Sequence, residues 1–145
     1  MVVKLALRKN DKRLLARCIQ LWSGSIYSHC ELVIDGFCYS SSVMDKGVRK
    51  KQIYLDPEKW DVFDLPWAEA DVILRYFKKT DGYSYGWFSL ITSQLFNTAR
   101  ADDDSQFCSE WCAAALGLPN PSSYSPESLY DSCVWLSELL LPKRA

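Results

Sequence analysis

The sequence predicts an α+β fold in which a small antiparallel sheet packs against helices. Three observations predict it: a hairpin signature around Asp35-Gly36, helical periodicity in the middle of the chain, and two capped helical segments in its last third. At 145 residues the chain suits one domain spanning 1–145, long enough to bury roughly two-thirds of its unfolded surface. A hydrophobic content of 48%, with six Trp, supplies a core that disordered chains lack.

Residues 2–7 read as a short strand, and Asp11 is placed to cap a helix carrying Leu14, Leu15, Cys18, Ile19 and Trp22 at i, i+3/i+4 spacing. Ser23-Gly24-Ser25 ends that helix. Residues 29–34 and 37–42 are strand-like and flank Asp35-Gly36, a pair favoured in two-residue hairpin turns. Further strands are expected over residues 47–55 and 60–65, each closed by a proline-containing stretch. From Ala68 the pattern turns helical through Val72, Ile73, Tyr76 and Phe77 until Asp81-Gly82, and a second helical stretch covers residues 86–96.

Residues 97–106, with Asp102-Asp103-Asp104, read as an exposed loop that leads into a helix over 105–117, alanine-rich and stopped at Gly117. Ser125-Pro126-Glu127 caps the last helix, whose apolar face is Leu129, Cys133, Leu136 and Leu140.

The formal net charge is −1 and the basic residues are scattered, apart from Arg49-Lys50-Lys51, which reads as a solvated turn. Nucleic-acid binding needs a basic face or stripe, so that partner is not expected. No segment reaches the 18 or so continuous apolar residues of a membrane span, and the opening residues lack the pattern of a secretory leader, so the expected location is cytoplasmic. The six cysteines, 18, 30, 38, 108, 112 and 133, lie in apolar periodic segments and are expected to be reduced.

A thiol is a useful nucleophile as the thiolate, which a helix N-terminus favours. Cys108 falls in the expected first turn of its helix, partly exposed, with its N–H directed toward a developing oxyanion. Cys112, a turn further in beside Ala113, Ala115 and Leu116, reads as a core thiol. The chain has one histidine, so the base of any Cys/His pair is His29, carried on a rigid hairpin strand.

The run Tyr27-Ser28-His29-Cys30-Glu31-Leu32-Val33-Ile34-Asp35-Gly36, a second strand, a helical middle, and then Phe107-Cys108-Ser109-Glu110-Trp111 opening a helix resembles the circularly permuted NlpC-type papain-like cysteine hydrolases. In that family the His-bearing sheet precedes the Cys-bearing helix. The resemblance covers about residues 25–117 as an order of elements, and its motifs are short. It implies hydrolysis or acyl transfer at an amide or ester carbonyl through an acyl-cysteine, with Cys108 as nucleophile, His29 as base, no cofactor, and a peptide-like or acyl-bearing substrate. The family's third polar residue, often a carboxylate on the next strand, has no clean match, and by family spacing it falls near Ser40.

The register leads to a second expectation. A two-residue turn at Asp35-Gly36 pairs Ile34 with Phe37 and, counted along both strands, sets Glu31 opposite Ser40 and His29 opposite Ser42. Ser40 or Ser42 is therefore expected to orient the imidazole, while Tyr83 and Tyr85 are candidate substrate contacts; Glu31, on the strand face of His29, is a candidate for substrate contact or for orienting the imidazole, although a glutamate on a half-exposed strand usually faces solvent. Most rings of the Tyr83, Tyr85, Trp87, Phe88 cluster serve equally well as core. Two other readings remain open: an inactive papain-like interaction protein, phage- or prophage-encoded in its general look, and a metal site from Cys30, Cys108, Cys112 and His29. The metal site is disfavoured because Cys108 and Cys112 share a helix face and His29 and Cys30 point to opposite faces of a strand.

Overall fold

The computed structural model describes residues 1–9, 26–42, 44–83 and 104–141. Within them five strands form one antiparallel sheet: β1 (Val3–Lys9), β2 (Tyr27–Ile34), β3 (Phe37–Ser42), β4 (Gly47–Lys51) and β5 (Trp60–Asp64), in the order β4-β3-β2-β1-β5. Three helices accompany them: α1 (Ala70–Thr80), α2 (Asp104–Ala115) and α3 (Pro126–Leu140). The expected α+β architecture is present. The helices expected around Leu14 to Trp22 and over residues 86–96 lie outside the described residues.

The hairpin forms around the expected turn. Asp35 and Gly36 have φ of 50° and 78°, the pair of positive values that a type I′ turn needs and that Asp-Gly accommodates. Ile34 pairs with Phe37, Val33 with Cys38 and Leu32 with Tyr39. β4 is shorter than expected because pairing ends at Lys51, where Cys38 is its partner. Arg49 and Lys50 lie inside this strand, which corrects the reading of the basic run as a solvated turn: Lys50 covers the Phe37 ring at 4.0 Å, and Arg49 turns inward.

Alternation divides the sheet into two faces. Leu5 lies beside Leu32, and Leu32 beside Tyr39. These residues, with Cys30 and Ile34, join Trp111, Cys112, Ala115, Leu129 and Cys133 of α2 and α3 in the main core. Trp111 is fully buried and donates its indole N–H to Thr80 Oγ1 at 3.0 Å, tying α2 to the end of α1. The opposite face carries a smaller cluster of Ala6, Val33, Cys38 and Trp60.

Local signals set the helix ends. α2 stops at Gly117 (φ 75°), where Leu118 N–H bonds Ala113 O and Gly117 N–H bonds Ala114 O, the two bonds of a Schellman motif. α3 starts from a capping box in which Ser125 and Ser128 exchange side-chain and backbone hydrogen bonds, with Pro126 in the first turn.

Candidate active site

The site lies where the sheet opens. β2 and β3 pair for three residues from the turn and no further, while β3 goes on pairing with β4 as far as Ser42↔Gly47. Beyond Leu32 the polar groups of β2 that face β3 need other partners. In an antiparallel strand the N–H and C=O of one residue point to the same neighbour, and Cys30 directs both into this opening. Its carbonyl accepts from Ser40 Oγ at 2.8 Å. Its N–H bonds the sulfur of Cys108, carried there by α2. Side chains thus complete a ladder that the strands leave unfinished.

His29 and Glu31, two residues apart on β2, share the face opposite Cys30. His29 Nε2 donates to Glu31 Oε1 at 2.6 Å. Both Glu31 oxygens also receive the Arg49 guanidinium, Nη1 to Oε2 at 2.7 Å and Nη2 to Oε1 at 2.5 Å, the forked geometry of a strong charge-assisted pair. Arg49 Nε donates in turn to Asp45 at 2.8 Å. Glu31 is 0% exposed, and the side chains of His29 and Arg49 are 12% and 14% exposed. Burial pushes the Glu31 carboxyl up, but the bonds from Arg49 and His29 outweigh it and hold the group below its usual range. The carboxylate is an ion enclosed between two cations.

With Nε2 engaged, Nδ1 is the nitrogen left to act. It is buried and takes no hydrogen bond of standard geometry, yet it belongs to an imidazole near enough to Cys108 for each group to shift the other. The contact is one of proximity, the looser arrangement common in unliganded Cys/His sites. Burial pulls the imidazole pKa down, but the Cys108 charge and hydrogen bonding, followed by Glu31, raise it well above the usual value. Burial pushes the Cys108 thiol up. Against that, the Cys30 thiol, the His29 charge and hydrogen bond, and the Cys30 N–H bring it down to about 6. Both shifts run in the direction that favours a thiolate–imidazolium pair.

Cys30 stays a thiol, raised well above the ordinary value by burial and by the sulfurs of Cys108 and Cys112. Its sulfur is 3.8 Å from that of Cys112. Among the described residues no group of three or more His, Cys, Asp or Glu is arranged to hold a metal ion.

Several expectations are corrected by this arrangement. The group bonded to the imidazole is a carboxylate on the histidine's own strand and not the hydroxyl of Ser40 or Ser42. The strands diverge before the extrapolated register reaches those serines, so Ser40 serves the Cys30 carbonyl, and Ser42 is buried at the end of β3. Of the two parts open to Glu31, substrate contact and imidazole orientation, the geometry fits the second: it is enclosed with both oxygens engaged, one of them by His29. Cys108 is the fifth residue of α2, so its N–H belongs to the helix's own ladder and not to a free first turn. Its side chain is 0% exposed, not partly exposed. Tyr83 is 42% exposed and its carbonyl accepts from Val48 N–H, beside Arg49. Tyr85 lies outside the described residues.

Sequence reasoning gave Arg49 no part in the site. The available signal was alternation: with β4 read as a strand, Arg49 falls opposite Ser40, on the face that carries His29 and Glu31. Comparison of the chain with protein-family models, with curated proteins and with solved structures found no match.

Proposed function

We propose that the chain is a cysteine hydrolase or acyltransferase of the circularly permuted papain-like kind, acting on an amide or ester bond through Cys108, His29 and Glu31. The observation that carries the reading is the division of labour on one imidazole: Nε2 is fixed by a buried carboxylate at 2.6 Å, which leaves Nδ1 for a sulfur whose pKa is brought down to about 6. In this mechanism the Cys108 thiolate adds to the substrate carbonyl and a C–S bond forms. The Nδ1 proton passes to the departing amine or alcohol as its bond to the carbonyl carbon breaks, leaving an acyl-cysteine and a neutral imidazole. His29 then takes a proton from water, or from an acceptor nucleophile in the transferase case, and the acyl group leaves the sulfur. Glu31 holds the ring orientation and stabilises the imidazolium, the part a carboxylate plays in other triads.

Peptide-like and acyl-bearing substrates both suit this chemistry. The sulfur is enclosed in the described conformation, so the carbonyl reaches it through an opening of the side chains around it. That enclosure favours one alternative, an interaction protein on the same fold whose ion pair is structural. Trapping decides between them: the protein is incubated with p-nitrophenyl acetate, quenched in acid, and its adduct mapped by peptide mass spectrometry. The hydrolase reading expects an acetyl group on Cys108 that forms and is turned over in the wild type, and that forms a few-fold more slowly but then persists in His29→Ala, which lacks the base for deacylation. An unmodified Cys108, with the ester consumed no faster than in buffer, rejects it in favour of the interaction protein.

A further inference from the structure

Five groups of alternating charge run from the turn before β4 to the opening in the sheet: Asp45, Arg49, Glu31, His29 and Cys108. The first three contacts are short hydrogen bonds, at 2.8 Å from Arg49 Nε to Asp45, 2.5 and 2.7 Å from Arg49 to Glu31, and 2.6 Å from His29 to Glu31. The proposed triad uses the last three groups and leaves Arg49 without an assigned part. An isolated surface pair on a hairpin needs no such burial, yet Arg49 is largely enclosed and spends both terminal nitrogens on a carboxylate 18 residues away.

We propose that Arg49 is a positioning residue for the Cys108–His29 pair: its forked grip on Glu31 fixes the carboxylate against His29 Nε2, and so fixes the imidazole with Nδ1 toward the sulfur. This inference rests on the proposed thiol chemistry and deepens it. A planar fork fixes both oxygens of a carboxylate and thereby its plane, which a point charge cannot do. Without it, Glu31 would keep a single cationic partner, the imidazolium. A carboxyl enclosed to this extent then tends to neutralise itself by taking the imidazole proton, which removes the positive charge that favours the thiolate. Arg49 acts at a distance, through Glu31 and then His29, and touches neither the sulfur nor the substrate carbonyl.

The other charged or titratable groups that face this chain are few among the described residues. Asp45 is shared by Arg49 and, at 3.2 Å, by Lys51. Cys38, on the same face, is held as a thiol, pushed up to about 11 by burial and by Glu31. Cys30 and Cys108 lie in the opening, and Arg8 is opposite His29 in the register of β1. None of these replaces the fork on Glu31.

The test is the pH dependence of Cys108 alkylation by iodoacetamide, read at that residue by peptide mass spectrometry in the wild type, Arg49→Met, Arg49→Gln and Arg49→Lys. Alkylation needs no substrate and no turnover. The wild-type midpoint is expected near 6. Both neutral variants are expected to raise it by about one pH unit or more, a tenfold or greater loss of thiolate stabilisation. Arg49→Lys, which restores the charge without the fork, is expected to bring the midpoint part of the way back, as a purely structural role would not. Arg49→Gln keeps a donor against Glu31 and carries the comparison if Arg49→Met does not fold. A folded neutral variant with an unchanged midpoint overturns the assignment of Arg49 and leaves the triad standing. A wild-type midpoint in the ordinary thiol range near 8.5 overturns the triad and Arg49 together.

Discussion

Glu31→Gln is the substitution with the largest consequence the structure lets us work out. The side chains have nearly the same shape, but glutamine removes the negative charge and leaves Arg49 and the His29 imidazolium facing one another in an enclosed site. Removing one partner of a buried ion pair costs about 3–5 kcal/mol. Here the low end applies, because the imidazole sheds its proton and relieves part of the repulsion. For a chain of this size each kcal/mol lowers Tm by roughly 3–4 °C, so the expected fall is about 10 °C, followed by circular dichroism at pH 7. Glu31 has a lowered folded-state pKa, so its contribution is present above the unfolded value of about 4.3 and is lost as pH falls through the lower folded value. The gap between wild type and variant should therefore narrow in acid. The double variant Glu31→Gln/Arg49→Met removes both charges and should recover at least about half of the loss, since an apolar replacement of a buried pair is often neutral. A Glu31→Gln protein that melts within about 3 °C of wild type at pH 7 would refute the buried carboxylate.

Two further outcomes follow from the same geometry. His29→Ala removes a charge that favours the thiolate, so the alkylation midpoint of Cys108 should move from about 6 to about 8.5 or higher. At pH 7 the thiolate fraction falls from about nine-tenths to a few per cent, but a more basic thiolate is intrinsically more reactive, and the net rate loss at that pH is only about two- to fivefold; an unchanged midpoint contradicts the pairing. Cys112→Ser places a hydroxyl in a fully buried site beside Cys30 and should cost about 1–3 kcal/mol in urea unfolding while leaving acylation at Cys108 in place; loss of acylation with stability intact would assign the chemistry to the wrong thiol.

The elements legible in the sequence are those fixed by local chemistry. Asp35-Gly36 announced its turn because few other dipeptides take two positive φ values so readily, and Ser125-Pro126 and Gly117 marked helix ends through hydrogen bonds made within a few residues. The candidate site was legible only at its two ends, a lone histidine on a strand and a cysteine near a helix start. What joins them depends on contacts distant in the chain. Alternation places Glu31 on the face of His29, but a glutamate on a strand ordinarily faces solvent; its burial goes with Arg49, on a strand two places away in the sheet. The serines drew attention because the hairpin register was extended past the point where the ladder ends. Past that point the Cys30 carbonyl and N–H take the Ser40 hydroxyl and the Cys108 sulfur as partners, and no pattern within the hairpin encodes them.

In the proposed chemistry a thiolate persists at neutral pH in a buried position because an imidazolium, a thiol and a strand N–H surround it. The direct test is a titration of the native protein by ultraviolet thiolate absorbance, taken as the difference between wild type and Cys108→Ala so that the signal of the other cysteines cancels. The expected result is a single rise of one thiolate with its midpoint near 6. A difference spectrum that stays flat up to about pH 8 would contradict it.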